Sequence, residues 1–138
     1  MTLTDTSTPW AFQVSALSDR LAANLDKREY LLDVADRVLK VARDESCTTL
    51  VGASEAGRRI VEAALGRDHG MDGPIRGSLV LVVDGLLATG TNLVATADRV
   101  REEGAAGIAI VAALADRTGL QAVELEVGAK VVALEIAG

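Results

Sequence analysis

The chain alternates between short aliphatic runs and longer stretches in which apolar residues recur at helical spacing. The aliphatic runs lie at 47–51, 79–83, 108–114 and 130–136, and the helical stretches lie at 15–45 with a break at 24–26, and at 60–65, 93–104 and 120–127. Short aliphatic runs are typical of buried strands, whereas the helical spacing is typical of amphipathic helices. This alternation predicts an α/β fold with a parallel sheet, right-handed crossovers and helices at the N-terminus.

The stretch at 79–93 combines a strand pattern with candidate chemistry. Five consecutive aliphatic residues predict a strand buried on both faces, and Asp84 follows them at its carboxyl end. The loop at 88–92 then offers small side chains, hydroxyls and backbone N–H groups at the start of a helix, where unpaired amides favour a phosphate. Because open α/β sheets bind ligands at this edge, we expect the acid and the loop to face one crevice.

These residues resemble the signature of the type I phosphoribosyltransferases, which consists of an aliphatic strand, two adjacent acids and a Thr-Gly-Gly-Thr-like loop. In that family the loop binds the 5′-phosphate of 5-phosphoribosyl 1-pyrophosphate (PRPP), and the acids contact the ribose hydroxyls. The resemblance implies the family's Rossmann-like three-layer fold and a catalytic Asp84 as the first acid, whereas Gly85 stands in place of the second. It also implies a phosphate loop formed by Ala88, Thr89, Gly90, Thr91 and Asn92.

The same loop residues have a simpler interpretation. Gly90 would permit a tight turn, and Thr91 or Asn92 would cap the helix that follows. Asp84 would then only stabilise the loop. Capping requires one such residue, however, and the Ala-Thr-Gly-Thr run after a buried strand and an acid is more than a cap requires.

A second glycine-containing turn follows the first aliphatic run. Gly52 and Gly57 have the spacing of a nucleotide-binding P-loop, but Arg58-Arg59 stands where that loop needs Lys and then Ser or Thr. The resemblance to the phosphoribosyltransferases instead implies a pyrophosphate loop formed by Ser54, Glu55, Ala56 and Gly57. A plain turn between a strand and a helix would also explain the glycines.

The connection at 66–78 is short and rich in glycine. In the family this region carries further strands and a mobile loop with basic catalytic residues. The fragment at 67–70 is similar to that loop in orotate-type enzymes, which implies a catalytic His69 that neutralises charge on the leaving pyrophosphate. A solvated histidine in a surface loop is the alternative.

Composition excludes several classes of function. The net charge is −6, no Lys or Arg cluster could track a phosphate backbone, and aromatic residues make up only 2% of the chain, so we expect no nucleic-acid binding. A single cysteine and a single histidine exclude a zinc site of the usual kind, and no other metal site is predicted from protein ligands. No apolar run is long enough to cross a membrane, so we expect a cytoplasmic protein.

We interpret 1–9 as a flexible leader and 10–138 as a single phosphoribosyltransferase-like domain that forms a homodimer. The first hypothesis is binding of PRPP or ribose 5-phosphate, with Mg²⁺ accompanying the pyrophosphate if the protein transfers the phosphoribosyl group to a base such as orotate. The second is an inactive relative that acts as a ligand sensor or structural subunit, and a third is a domain that binds another phosphate. Gly85→Asp should strengthen PRPP binding if the ribose site is intact.

Overall fold

The computed structural model describes residues 16–87 and 91–137, so the predicted leader lies outside the described residues. In chain order the elements are α1 (16–25), α2 (Arg28–Asp44), β1 (Thr49–Gly52), α3 (Ser54–Arg67), a 3₁₀ turn (His69–Met71), β2 (Leu79–Leu87), α4 (Thr91–Glu102), β3 (Gly107–Asp116), α5 (Arg117–Val127) and β4 (Val131–Ala137). The predicted alternation of strands and helices is confirmed.

The described strands form one parallel sheet in the order β1-β2-β3-β4. Thr49 pairs with Val80 at the start of β1, and Gly52 pairs with Val83 at its end. Strand β2 continues to Leu87, so Asp84 lies within it rather than at its end. Because the neighbouring strand β1 stops opposite Val83, Asp84 still lies just beyond the end of β1, at the carboxyl edge predicted for the site.

Helices cover both faces of the sheet and give three layers. Helices α1, α2 and α3 pack on one face against Leu81, Val83 and Val111, whereas α4 and α5 pack on the other face against Val80, Val82 and Ile110. Alternate residues of the central strands face opposite layers, and both layers are apolar. This explains why β2 and β3 have nearly continuous aliphatic sequences.

The connection through α3 differs from the expected handedness. The three steps from β1 to β4 move in the same direction across the sheet, but α3 lies on one face and α4 and α5 lie on the other. The α3 connection must therefore have the opposite hand to the other two, and the expectation that every crossover is right-handed is wrong for at least one of them. Helix α3 lies on this face because Ile60 and Ala64 complete the core beneath α2.

Two helix ends follow simple local rules. Gly104, predicted to end the helix at 93–104, follows α4 and has a positive φ of 96°. Gly128 ends α5 in the same left-handed region, and its N–H donates to the carbonyl of Glu124.

Within 16–87 and 91–137, no helix is both long and apolar enough to span a bilayer.

Candidate functional site

Asp84 is a buried carboxyl group at the carboxyl edge of the sheet. The residue is 4% exposed, and its Oδ1 accepts hydrogen bonds from the Ser54 hydroxyl at 2.6 Å and from the Gly85 N–H at 2.7 Å. Burial raises the pKa of Asp84 from 3.8 to about 6, although both hydrogen bonds act in the opposite direction. A buried carboxylate that costs stability in its charged form is typical of a functional site.

Ser54 begins α3 directly after the β1 turn and has a left-handed backbone with a φ of 62°. Its Oγ donates to Asp84 and accepts from the N–H of Gly57 at 3.4 Å. A non-glycine residue is rarely found in this conformation, and the two hydrogen bonds hold it there. The side chain is thereby directed from the β1–α3 turn toward β2.

Two glycines let α3 approach the edge of β2 closely. A Cβ on Gly57 would lie 2.2 Å from the carbonyl oxygen of Val83, so this glycine is required for the packing of helix on strand. A Cβ on Gly85 would lie 2.5 Å from the Cβ of Ala56 and 2.9 Å from Cδ2 of Leu21. The place of the family's second acid is therefore filled by α1 and α3. An aspartate at position 85 would clash with Ala56 and Leu21, so this packing argues against the prediction that Gly85→Asp strengthens PRPP binding.

A cavity of about 400 Å³ opens above Asp84. Its polar lining comes from the β1–α3 turn, β2 and the first turn of α4, and one apolar wall comes from α1. The lining residues are Ser18, Leu21, Ala22, Leu25, Ser54, Glu55, Ala56, Arg59, Asp84, Leu86 and Asn92. The cavity thus brings together the predicted acid, part of the predicted pyrophosphate loop and one residue of the predicted phosphate loop.

The predicted phosphate loop is only partly described. Ala88, Thr89 and Gly90 lie outside the described residues, Thr91 begins α4, and Asn92 lines the cavity. The predicted pyrophosphate loop is not a separate loop, since Ser54, Glu55, Ala56 and Gly57 form the first turn of α3.

His69 lies away from the cavity. It belongs to a 3₁₀ turn after the end of α3, and the following Asp72 forms a bridge with Thr49 at the start of β1. This is the amino end of the strand, opposite to the edge that holds Asp84, because α3 runs back along the sheet. Arg67 is bound to Asp36 at 3.1 Å. Within the described residues His69 and Asp84 thus lie at opposite edges of the sheet, and a catalytic role of His69 at the pyrophosphate stays a prediction.

Helix α1 and Arg59 are parts of the cavity that the sequence patterns did not reveal. Arg59 donates to the carbonyl of Leu25 at 3.0 Å and to Oδ1 of Asp26 at 2.9 Å, so it fastens the end of α1 to α3. The helical spacing from residue 15 predicted that α1 exists. Its position above Asp84 depends on contacts between distant parts of the chain, which local periodicity does not encode.

The described residues contain no group of three or more His, Cys, Asp or Glu side chains that could hold a metal ion. Asp84 is a buried carboxyl group that lines the cavity.

Comparisons with solved structures show the fold. The structure matches a phosphoribosyltransferase from Corynebacterium diphtheriae with a TM-score of 0.70 and 16% identity, over 84% of this chain and 80% of that one. It also matches Mycobacterium tuberculosis H37Rv orotate phosphoribosyltransferase in complex with PRPP, with a TM-score of 0.70 and 15% identity, over 84% and 78%. These likenesses confirm the predicted fold class, an α/β fold of the type I phosphoribosyltransferase kind.

A third match is to part of a longer protein. Leishmania donovani UMP synthase matches with a TM-score of 0.69 and 19% identity over 84% of this chain, which corresponds to 29% of the UMP synthase chain. No protein family model matches the sequence, and no curated protein is significantly similar to it.

Proposed function

We propose that this chain binds a 5-phosphoribosyl ligand, PRPP or ribose 5-phosphate, in the cavity above Asp84. The observation that carries the proposal is the hydrogen-bonded pair of buried Asp84 and half-buried Ser54, which lines a cavity of about 400 Å³ that also reaches Asn92 in the first turn of α4. A carboxylate and a hydroxyl suit sugar hydroxyls, and a helix N-terminus suits a phosphate. The phosphoribosyltransferase fold of the chain supports the same assignment.

In this proposal each polar group has a defined role. Asp84 accepts hydrogen bonds from the ribose hydroxyls, and Ser54 holds the carboxylate in place. The 5′-phosphate lies at the N-terminus of α4, against Asn92 and the residues before it. The apolar wall from Leu21 and Leu25 excludes water from one side of the sugar, which strengthens the polar contacts on the other.

If the protein catalyses transfer, the bond between C1 of the ribose and the diphosphate oxygen breaks, and the diphosphate leaves with the electron pair. A nitrogen of the acceptor, such as a nucleobase, then forms the new bond to C1 and loses its proton to the solvent. Asp84 would stabilise the positive charge that develops on the sugar. We propose Mg²⁺ as an ion that enters with the diphosphate and neutralises part of its charge.

Binding without turnover is the second candidate, and the packing around Gly85 favours it. Leu21 and Ala56 occupy the space of the second acid, and His69 and Arg67 lie away from the cavity. The protein would then sense a phosphoribosyl ligand or serve as a structural subunit. A release assay for pyrophosphate, with PRPP and a panel of bases, separates the two candidates.

Calorimetric titration with ribose 5-phosphate and with PRPP, each with and without Mg²⁺, tests the proposal. Saturable binding should weaken at least tenfold in Asp84→Asn, because a charged hydrogen-bond acceptor is lost. Asp33→Asn, which changes an exposed carboxylate of α2, is the matched control and should bind normally. Absence of binding of both ligands to the folded wild-type protein would refute the proposal.

The homodimer and the cytoplasmic location are also proposals. A dimer would cover the edges of the sheet at β1 and β4, which have no further strand paired along them among the described residues. Analytical ultracentrifugation tests the dimer, and cell fractionation tests the location.

A further inference from the structure

A second depression lies on the other side of the β1–α3 turn from the Asp84 cavity. It has a volume of about 340 Å³ and is lined by Gly52, Ser54, Arg58, Ala95, Thr96 and Arg99. Two guanidinium groups from two different helices, Arg58 of α3 and Arg99 of α4, thus line the same depression. In a chain with a net charge of −6, this pairing of like charges requires an explanation.

The carboxylates of the described residues do not neutralise this pair. No carboxylate lies within ion-pairing distance of Arg58 in the described parts of the chain, whereas six other basic side chains have a carboxylate partner at 2.8 to 3.7 Å. Arg99 is 3.9 Å from Glu103, at the outer limit for an ion pair, and both side chains are largely exposed. The pair therefore keeps most of its capacity to bind an anion.

Ser54 connects the depression to the proposed ribose site. It lines both the depression and the Asp84 cavity, so the two adjoin at the β1–α3 turn. The cavity side of the turn carries the carboxylates of Asp84 and Glu55, which repel a diphosphate, and Arg59, which also lines the cavity, is paired with Asp26. The depression side carries Arg58 and Arg99, together with the Thr96 hydroxyl, which attract one.

We propose that the Arg58–Arg99 depression is an anion subsite that binds the diphosphate group of a phosphoribosyl ligand whose ribose lies at Asp84. The inference rests on the proposed function and adds a preference for PRPP over ribose 5-phosphate. It assigns the diphosphate to two arginines outside the Ser54–Gly57 turn, and it requires no basic side chain from the connection at 66–78.

The test compares three probes, which are inorganic diphosphate, PRPP and ribose 5-phosphate. They are titrated into the wild-type protein, the double variant Arg58→Gln/Arg99→Gln and the control Arg43→Gln, with and without Mg²⁺. Arg43 lies near the end of α2 and contacts Asp68, toward the opposite edge of the sheet. Circular dichroism and thermal unfolding verify that each variant is folded, which we expect because the three side chains are exposed.

The double variant should lose at least about tenfold in affinity for diphosphate and for PRPP, whereas ribose 5-phosphate should bind as it does to the wild type. Equal binding of diphosphate to the double variant and the wild type would overturn the subsite. Equal affinity of the wild type for PRPP and ribose 5-phosphate would also overturn it and leave the proposed function intact. Arginine-dependent binding of diphosphate without binding of either sugar phosphate would support the anion subsite and refute the proposed function.

Discussion

Ser54 Oγ lies 2.6 Å from Asp84 Oδ1, and this hydrogen bond joins the turn after one strand to the middle of the next. Each of the two residues has a feature that costs stability. Ser54 has a left-handed backbone, and Asp84 is a carboxyl group with its pKa raised to about 6 by burial. Features that cost stability in this way are found where function requires them.

Asp84→Asn should stabilise the protein at neutral pH. The folded-state pKa is above the unfolded one, so the wild type loses stability as the pH rises from about 4 to 6, by at most about 3 kcal/mol. Asparagine can accept the same two hydrogen bonds without a charge. Urea denaturation at pH 4 and pH 7.5 should therefore show a higher free energy of unfolding for Asp84→Asn than for the wild type only at pH 7.5.

The exposed Asp33→Asn change is the matched control. Its free energy of unfolding should change between pH 4 and pH 7.5 by the same amount as that of the wild type. Equal stability of Asp84→Asn and wild type at pH 7.5 would mean that the Asp84 carboxylate is not destabilising. Ligand affinity should change in the opposite direction to stability, because the charge that costs stability is the group proposed to bind the ribose.

Ser54→Ala and Ser54→Gly should differ in stability although both remove the hydroxyl. Glycine adopts a positive φ without the steric cost of a Cβ, so Ser54→Gly should be more stable than Ser54→Ala by about 1 kcal/mol. Both variants should raise the pKa of Asp84 further, because the Ser54 hydrogen bond lowers it. Carboxyl chemical shifts followed by NMR across the pH range measure this, and an unchanged Asp84 titration would contradict the role given to Ser54.

Gly85→Ala should destabilise the protein by about 1–3 kcal/mol, because its Cβ would overlap the Cβ of Ala56. Ala56→Gly removes that obstacle, so the double variant should lose less stability than the sum of the losses in the two single variants. A double-mutant cycle measured by urea denaturation gives the coupling. Purely additive effects would show that Ala56 does not restrict Gly85. The larger Gly85→Asp change should impair folding rather than strengthen PRPP binding.

Much of the fold could be predicted from the sequence because strands, helices and helix ends depend on patterns within short segments. The aliphatic run at 79–83 specified a strand buried on both faces, and Gly104 specified the end of α4. The face occupied by α3 could not be predicted, because it depends on the packing of Ile60 beneath α2, a contact between distant segments.

The same distinction between local information and contacts between distant segments applies to the site. Asp84 and Asn92 belong to one continuous strand–loop–helix motif, and both line the cavity as expected. His69 was assigned by similarity to a short fragment, and the chain direction carries it to the opposite edge of the sheet. Arg58 and Arg99 are separated by 41 positions of sequence, and only the folded chain brings them to one depression.

Arg59→Gln should loosen α1 without unfolding the sheet. The guanidinium holds the Leu25 carbonyl and Asp26 at the end of α1, and it is one-third exposed, so its loss should lower the free energy of local opening by about 1 kcal/mol. Hydrogen exchange of the α1 amides should accelerate, whereas exchange in β2 and β3 should not change. Because Leu21 and Leu25 form the apolar wall of the cavity, the affinity for ribose 5-phosphate should fall as well.

Arg58→Gln is the matched control for this change, since it alters the adjacent residue on the same helix. Arg58 lines the other depression and makes no hydrogen bond to α1 among the described residues, so its substitution should leave the exchange of α1 unchanged and reduce the binding of diphosphate and of PRPP. The two adjacent arginines would then be separated by their effects, Arg59 on the wall of the sugar cavity and Arg58 on the anion subsite. Equal acceleration of α1 exchange in both variants would contradict the assignment of Arg59 as the residue that fastens α1.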